Sequence, residues 1–115
     1  MWQVHGLKNC DTCRKARKWL EAEGIAHQFR DLKAEGASEA DIARWLDAVG
    51  TEKLINRRGT TWRGLDDSAK AQGDSREGAI TLCVASTSLM KRPIFDDGTR
   101  VMVGFSKAEQ EALQG

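Results

Sequence analysis

The sequence predicts an α/β fold: a mixed four-stranded sheet with a helical insertion in the middle of the chain. Three observations carry this expectation. A strand–helix–strand pattern opens the chain, a strand hairpin followed by a short helix closes it, and the stretch between them has mostly helix-type apolar spacing. The pair Cys10 and Cys13 falls where the first strand gives way to the first helix. With 115 residues the chain is long enough to bury one core and too short for two ordinary domains. We therefore expect a single domain, with residues 1–32 and 89–115 as the two core halves and 33–88 as the mostly helical insertion.

Each element has its own signal. Trp2-Gln3-Val4-His5 alternates apolar and polar, the period of a strand. Gly6 to Asn9 is a loop, and a helix is expected from Asp11 to Glu23, with Ala16, Trp19, Leu20 and Glu23 on one face, Arg14, Arg17 and Lys18 on the other, and Gly24 to end it. Ile25 to Leu32 reads as a second strand, with Ile25, His27 and Phe29 on one face, and Lys33 to Ala37 as a polar linker. Ser38 caps the next helix, whose stripe is Ile42, Trp45, Leu46 and Val49 and whose stop is Gly50.

Leu54-Ile55 is apolar, and Asn56 to Trp62 reads as a basic loop. Leu65 to Gly73 is expected to be partly helical. Asp74-Ser75-Arg76-Glu77 is a second capping signal, opening a helix that carries Ile80, Cys83 and Val84. Ile94-Phe95 and Val101-Met102-Val103 are two strands joined by a turn at Asp96-Asp97-Gly98-Thr99, where glycine supplies a positive φ. Ser106-Lys107-Ala108-Glu109 fits a capping box and opens the last helix. With Cys10-x-x-Cys13 at the end of the first strand, this order is the thioredoxin-like arrangement.

Composition narrows the function classes. Eighteen basic and seventeen acidic residues leave a formal net charge of +1, which speaks against a general nucleic-acid binder. No apolar run has the length of a membrane span, and the first residues lack the pattern of a signal peptide, so the expected setting is the cytoplasm with no membrane partner. An odd count of three cysteines suits a reducing compartment.

Taken by its spacing alone, the Cys10/Cys13 pair leaves three readings: a redox pair, half of a zinc site, or two inert residues. A zinc site takes four ligands, and only Cys83, His5 and His27 remain, with no second pair. The redox reading is favoured, and no metal is expected. Thiolate is the attacking form, and a helix start favours it, so Cys10 is the better placed nucleophile. Lys8 and Arg14 add positive charge nearby, while Asp11 opposes it. Cys13, one turn on, is either the resolving thiol or a buried helix residue whose role glutathione takes over. Cys83, on an apolar stripe, reads as a small core residue.

Three blocks in order resemble the arsenate reductase/Spx (ArsC-like) family, and within it the YffB-like branch: Gly6 to Ala16, Leu54 to Trp62, and Leu89 to Ile94 with Val103-Gly104-Phe105. The resemblance covers nearly the whole chain. It implies a thioredoxin-like fold, Cys10 as the nucleophile, and an anion held by arginines. One such arginine matches Arg92, just before Pro93, which the resemblance makes a cis proline. A second matches the region of Asn56, Arg57 and Arg58. The third position is taken by Val103, and the histidine that reductases carry four residues before the cysteine is Gly6 here. The Cys13 position matches the Spx and YffB-like branches.

These departures move the expectation from arsenate toward a glutathione-linked thiol oxidoreductase. Cys10, Cys13 and Arg92 are its catalytic group, and Lys8, Arg14, Asn56, Arg57, Arg58, Arg92 and Pro93 its substrate or glutathione contacts. Glutathione is the expected co-substrate, with no tightly bound cofactor. The expected partners are a glutathione or glutaredoxin-type reductant and a small anionic or disulfide substrate. Two alternatives stay open: an arsenate reductase using glutathione and glutaredoxin, and an Spx-like, redox-switched regulator that binds RNA polymerase.

Overall fold

The computed structural model describes all residues, 1–115. Its internal packing divides the chain into two units, one of residues 1–35 and 92–115, the other of residues 36–91.

The first unit holds the sheet. Strand β1 (Trp2–Gly6) lies between β2 (His27–Asp31) and β3 (Ile94–Asp96), and β4 (Val101–Val103) pairs on the outer side of β3. β1 runs parallel to β2, with Val4 opposite Phe29 and Gly6 opposite Asp31. The other two pairings are antiparallel. A parallel pair needs a crossover, and helix α1 (Asp11–Ala22) supplies it.

Alternation decides which face is covered. Trp2, Val4 and Gly6 are buried, while Gln3 and His5 are half-buried. On α1 the buried residues are Cys13, Ala16 and Leu20, at helical spacing. Trp2, Val4, Ala16, Leu20, Phe95 and Leu113 form one apolar cluster, with Trp19, Ile25, Phe29, Met102 and Phe105 packed around it. Edge-to-face contacts of Trp2 with Phe95 and of Trp19 with Phe105 tie the strands and α1 together. Glu23, expected on the inner face, is exposed instead and accepts a hydrogen bond from Gln114 on the last helix at 2.7 Å.

The ends of these elements have local causes. Gly24 takes a φ of 68° just past α1, a conformation that costs other residues a Cβ clash. Gly98 does the same in the β3–β4 turn at 95°. In that turn Asp97 Oδ1 accepts from the N–H groups of Thr99 (2.9 Å) and Arg100 (2.6 Å). Ser106 N–H donates to Glu109 Oε1 at 2.8 Å and opens α8 (Lys107–Gln114), as the capping box predicts.

Residues 33–37, expected as a linker, are in part helix α2 (Leu32–Glu35). The cause is a local cap that the residue types do not advertise. Asp31 Oδ1 accepts from Lys33 N–H at 2.9 Å, and Glu35 Oε2 accepts from Asp31 N–H at 3.1 Å.

The second unit is helical. It contains α3 (Glu39–Val49), α4 (Thr51–Leu54), α5 (Thr60–Arg63), α6 (Asp67–Gln72), α7 (Arg76–Ala85) and a 3₁₀ turn at Thr87–Leu89. Ser38 and Ser75 cap α3 and α7 by accepting from the N–H of Asp41 (3.1 Å) and Gly78 (3.0 Å). α3 packs against α7, and Arg76 clasps Asp47 across them with two hydrogen bonds of 2.8 and 2.9 Å.

The structure sharpens one expectation in this unit and corrects another. Val84 is exposed, and the inner stripe of α7 is Ala79 and Cys83. Four-residue spacing gives that stripe, and Val84 is turned a step away from it. The basic loop 56–62 ends in helix α5, with Trp62 buried. A tight turn in which Gly59 N–H donates to Asn56 C=O at 3.1 Å leads into it.

Leu20 has no exposed surface and sits in the main cluster of the first unit. Leu20→Ala is expected to cost about 2–5 kcal/mol in urea unfolding, whereas Val84→Ala is expected to stay within about 0.5 kcal/mol of the parent.

Candidate functional site

The site grows from the last residue of β1 and the first turn of α1. Gly6 ends the strand, and the chain turns through Leu7, Lys8 and Asn9, with Cys10 N–H donating to Leu7 C=O at 3.2 Å. Cys10 is the N-cap of α1, extended at φ −87° and ψ 122°. Its own C=O takes the first helical hydrogen bond, from Arg14 N–H at 2.9 Å. The Cys10 sulfur is thereby left at the positive end of a twelve-residue helix. Cys10 is half-buried, Cys13 has no exposed surface, and both are free thiols.

These two thiols have opposite electrostatics. Burial works against ionisation of Cys10, but other groups outweigh it: the backbone N–H and thiol of Cys13, and the guanidinium of Arg92. Cys10 therefore titrates below its ordinary value. Cys13 is pushed up to about 11, chiefly by burial. The Leu7 backbone offsets part of that rise, and the neighbouring Cys10 adds to it. Ionisation is thus favoured at Cys10 and opposed at Cys13, whose thiol can donate toward the Cys10 sulfur. Cys83, in the second unit, is also pushed up to about 11, by burial alone.

Arg92 is half-buried and Pro93 fully buried, and the peptide bond between them is cis. Pro93 C=O accepts from Gly104 N–H at 2.9 Å, which fixes the approach to β3. Cys10, Cys13, Arg92 and Pro93 thus all belong to the first unit, and the first three interact directly.

The remaining predicted contacts are placed differently. Lys8 is exposed on the loop before Cys10. Arg14 is exposed and engaged with Asp11, one turn before it on the same helix. Asn56, Arg57 and Arg58 belong to the second unit. There Asn56 N–H donates to Leu89 C=O at 2.7 Å, and Ile55 bridges to Met90. Arg57 lies over the Trp62 ring at 5.2 Å and 3.7 Å from Asp74, while Arg58 is exposed. Val103 is 2% exposed and contributes an apolar side chain to the core.

The model of the ArsC family matches residues 5–113. The chain belongs to that family. A solved structure of the YFFB (PA3664) protein superposes on the full length of both chains with a TM-score of 0.91 and 38% identity. An arsenate reductase (ArsC) related protein from Brucella melitensis is 40% identical, with a TM-score of 0.75 over 96% of this chain and 92% of its own. The global transcriptional regulator Spx of Streptococcus mutans is 30% identical over 107 residues, which is 91% of this chain and 77% of Spx. In this ArsC-family chain the matched region takes in both cysteines and Arg92-Pro93. The thioredoxin-like sheet with its helical segment is the fold of these relatives.

The sequence marks Gly6 only as the place where the reductases carry a histidine; its closeness to the Cys13 sulfur is not legible there. Its signal was present but silent: a glycine on the covered face of β1, seven residues before a cysteine on the covered face of α1.

Alkylation of Cys10 followed against pH should show a midpoint below that of a free thiol. Fewer protons remain on a thiol with a lowered value, so at neutral pH Cys10 should react faster than an unperturbed cysteine. Arg92→Met removes a charge that favours the thiolate; the midpoint should move up and the rate at neutral pH should fall. An unchanged profile in Arg92→Met would count against Arg92 acting on Cys10.

Proposed function

We propose that this chain is a small thiol oxidoreductase, with Cys10 as nucleophile, Cys13 as resolving thiol and glutathione as the linked reductant. The observation that carries the reading is the asymmetry of the pair. A half-buried sulfur at a helix start is favoured as thiolate, beside a buried sulfur that stays protonated.

The Cys10 thiolate attacks a disulfide or glutathione mixed disulfide, forming a Cys10 mixed disulfide and expelling one thiolate. Cys13 then gives up its proton and attacks the Cys10 sulfur. A Cys10–Cys13 bond forms, and the second thiol leaves carrying that proton. Two electrons have passed to the substrate. Two molecules of glutathione return them, reopening the bond and leaving as glutathione disulfide. Arg92 favours the thiolate of Cys10 and offers a cation to the carboxylate of an anionic partner.

Two other readings have support. The Brucella relative is described as arsenate reductase related. Against arsenate stands Val103, apolar and buried where the resemblance calls for an arginine. A direct arsenate-to-arsenite assay with glutathione and glutaredoxin tests this reading. The Spx relative favours a regulator that uses the pair as a switch. A pull-down with the C-terminal domain of the RNA polymerase α subunit, in both redox states, tests that.

Glutathione-dependent reduction of a small disulfide should vanish in Cys10→Ser. In Cys13→Ser, mass spectrometry after treatment with oxidised glutathione should find one glutathione on Cys10 that persists. Full activity in Cys10→Ser would overturn the assignment.

A further inference from the structure

Gly6 closes β1 in ordinary extended geometry. It pairs with Asp31 on β2, and its φ is not positive. Its backbone therefore does not demand glycine. What the position lacks is room. A Cβ added there would lie 2.5 Å from Cys13 Sγ, well inside contact distance. The next nearest atoms are Cys13 Cβ at 3.4 Å and Phe29 Cε1 at 3.5 Å, both ordinary contacts. The conflict is with one atom, the buried sulfur.

We propose that Gly6 is a positioning residue for the second thiol: its missing side chain is the seat that holds Cys13 Sγ in register with Cys10, and a single methyl group there uncouples the two sulfurs. This rests on the dithiol reading above. The Cys13 backbone is fixed within α1, so relief comes from turning the side chain to another staggered position. The sulfur then leaves its place beside Cys10. The same displacement removes a thiol that favours the Cys10 thiolate. Gly6→Ala thus acts chiefly on the step that closes the disulfide, which needs both sulfurs in register, and only secondarily on the first attack, through the lost contribution of Cys13 to the Cys10 thiolate.

The test uses the whole chain in four forms: the parent, Gly6→Ala, Cys13→Ala and the double variant. Each is treated with oxidised glutathione and followed by intact mass. In the parent the glutathione adduct should be transient, giving way to the internal disulfide. In Gly6→Ala the adduct should accumulate, its conversion slowed by about tenfold to a hundredfold. Thermal unfolding adds a readout independent of chemistry. Gly6→Ala should lower the melting temperature when Cys13 is present and change it little in Cys13→Ala, where the conflicting atom is gone. Conversion at the parent rate in Gly6→Ala, or equal destabilisation in both backgrounds, would overturn the proposal. If the parent itself forms no internal disulfide, the dithiol reading falls. The thermal comparison then decides alone whether Gly6 seats the sulfur.

Discussion

The first turn of α1 has to hold two sulfurs one turn apart while burying one and leaving the other half open. Helix geometry sets the spacing, since residues three apart share a face. Burial then separates their chemistry. Cys13 points into the covered face with Ala16 and Leu20, and desolvation holds its proton on. Cys10 stands at the cap, where helix N–H groups and Arg92 favour its charge. Neither effect works without the strand beneath: β1 positions Gly6 under the helix start, and the loop from Leu7 presents its backbone to Cys13.

The sheet makes this arrangement stiff. β1 is central, paired on both sides, and its inward residues are fully covered. Arg92 enters the site from the start of β3, which is itself paired to β1 through Val4 and Phe95. Cys10 and the guanidinium that acts on it therefore hang from adjacent strands of one sheet that share one apolar cluster. A site carried by a packed sheet loses little order when the substrate arrives, which is what positioning a reacting atom requires.

How much of this could be read from the chain depended on whether the cause was local. The strands, α1, α3, α7, the β3–β4 turn and the last helix were legible, because alternation, helical spacing, serine caps and Gly98 act within a few residues. The short helices α2, α4 and α5 were not. They are single turns held by caps such as Asp31 with Lys33, or follow a turn such as Asn56–Gly59, in segments too short to show a period. In the site, Cys10 and Cys13 stood out by spacing, and Arg92-Pro93 by resemblance. Gly6 stood out only as the place of the reductases' histidine, because its closeness to the Cys13 sulfur depends on an atom seven residues away. The pairing of Arg14 with Asp11 was not legible, since it is one of several geometries those two exposed residues can take.

Val103 bears on how this lineage can change. It sits opposite Ile94 in the β3–β4 pair, with almost no exposed surface. A guanidinium arriving there by mutation would be stripped of water, at a cost of several kcal/mol unless a partner formed with it. Domains of this size have about 5–15 kcal/mol in hand. An arginine frame of the kind the resemblance describes is therefore separated from this sequence by a step that costs stability before it can serve. Selection acting one substitution at a time meets a lower barrier around the paired thiols at the start of α1 than at this buried position.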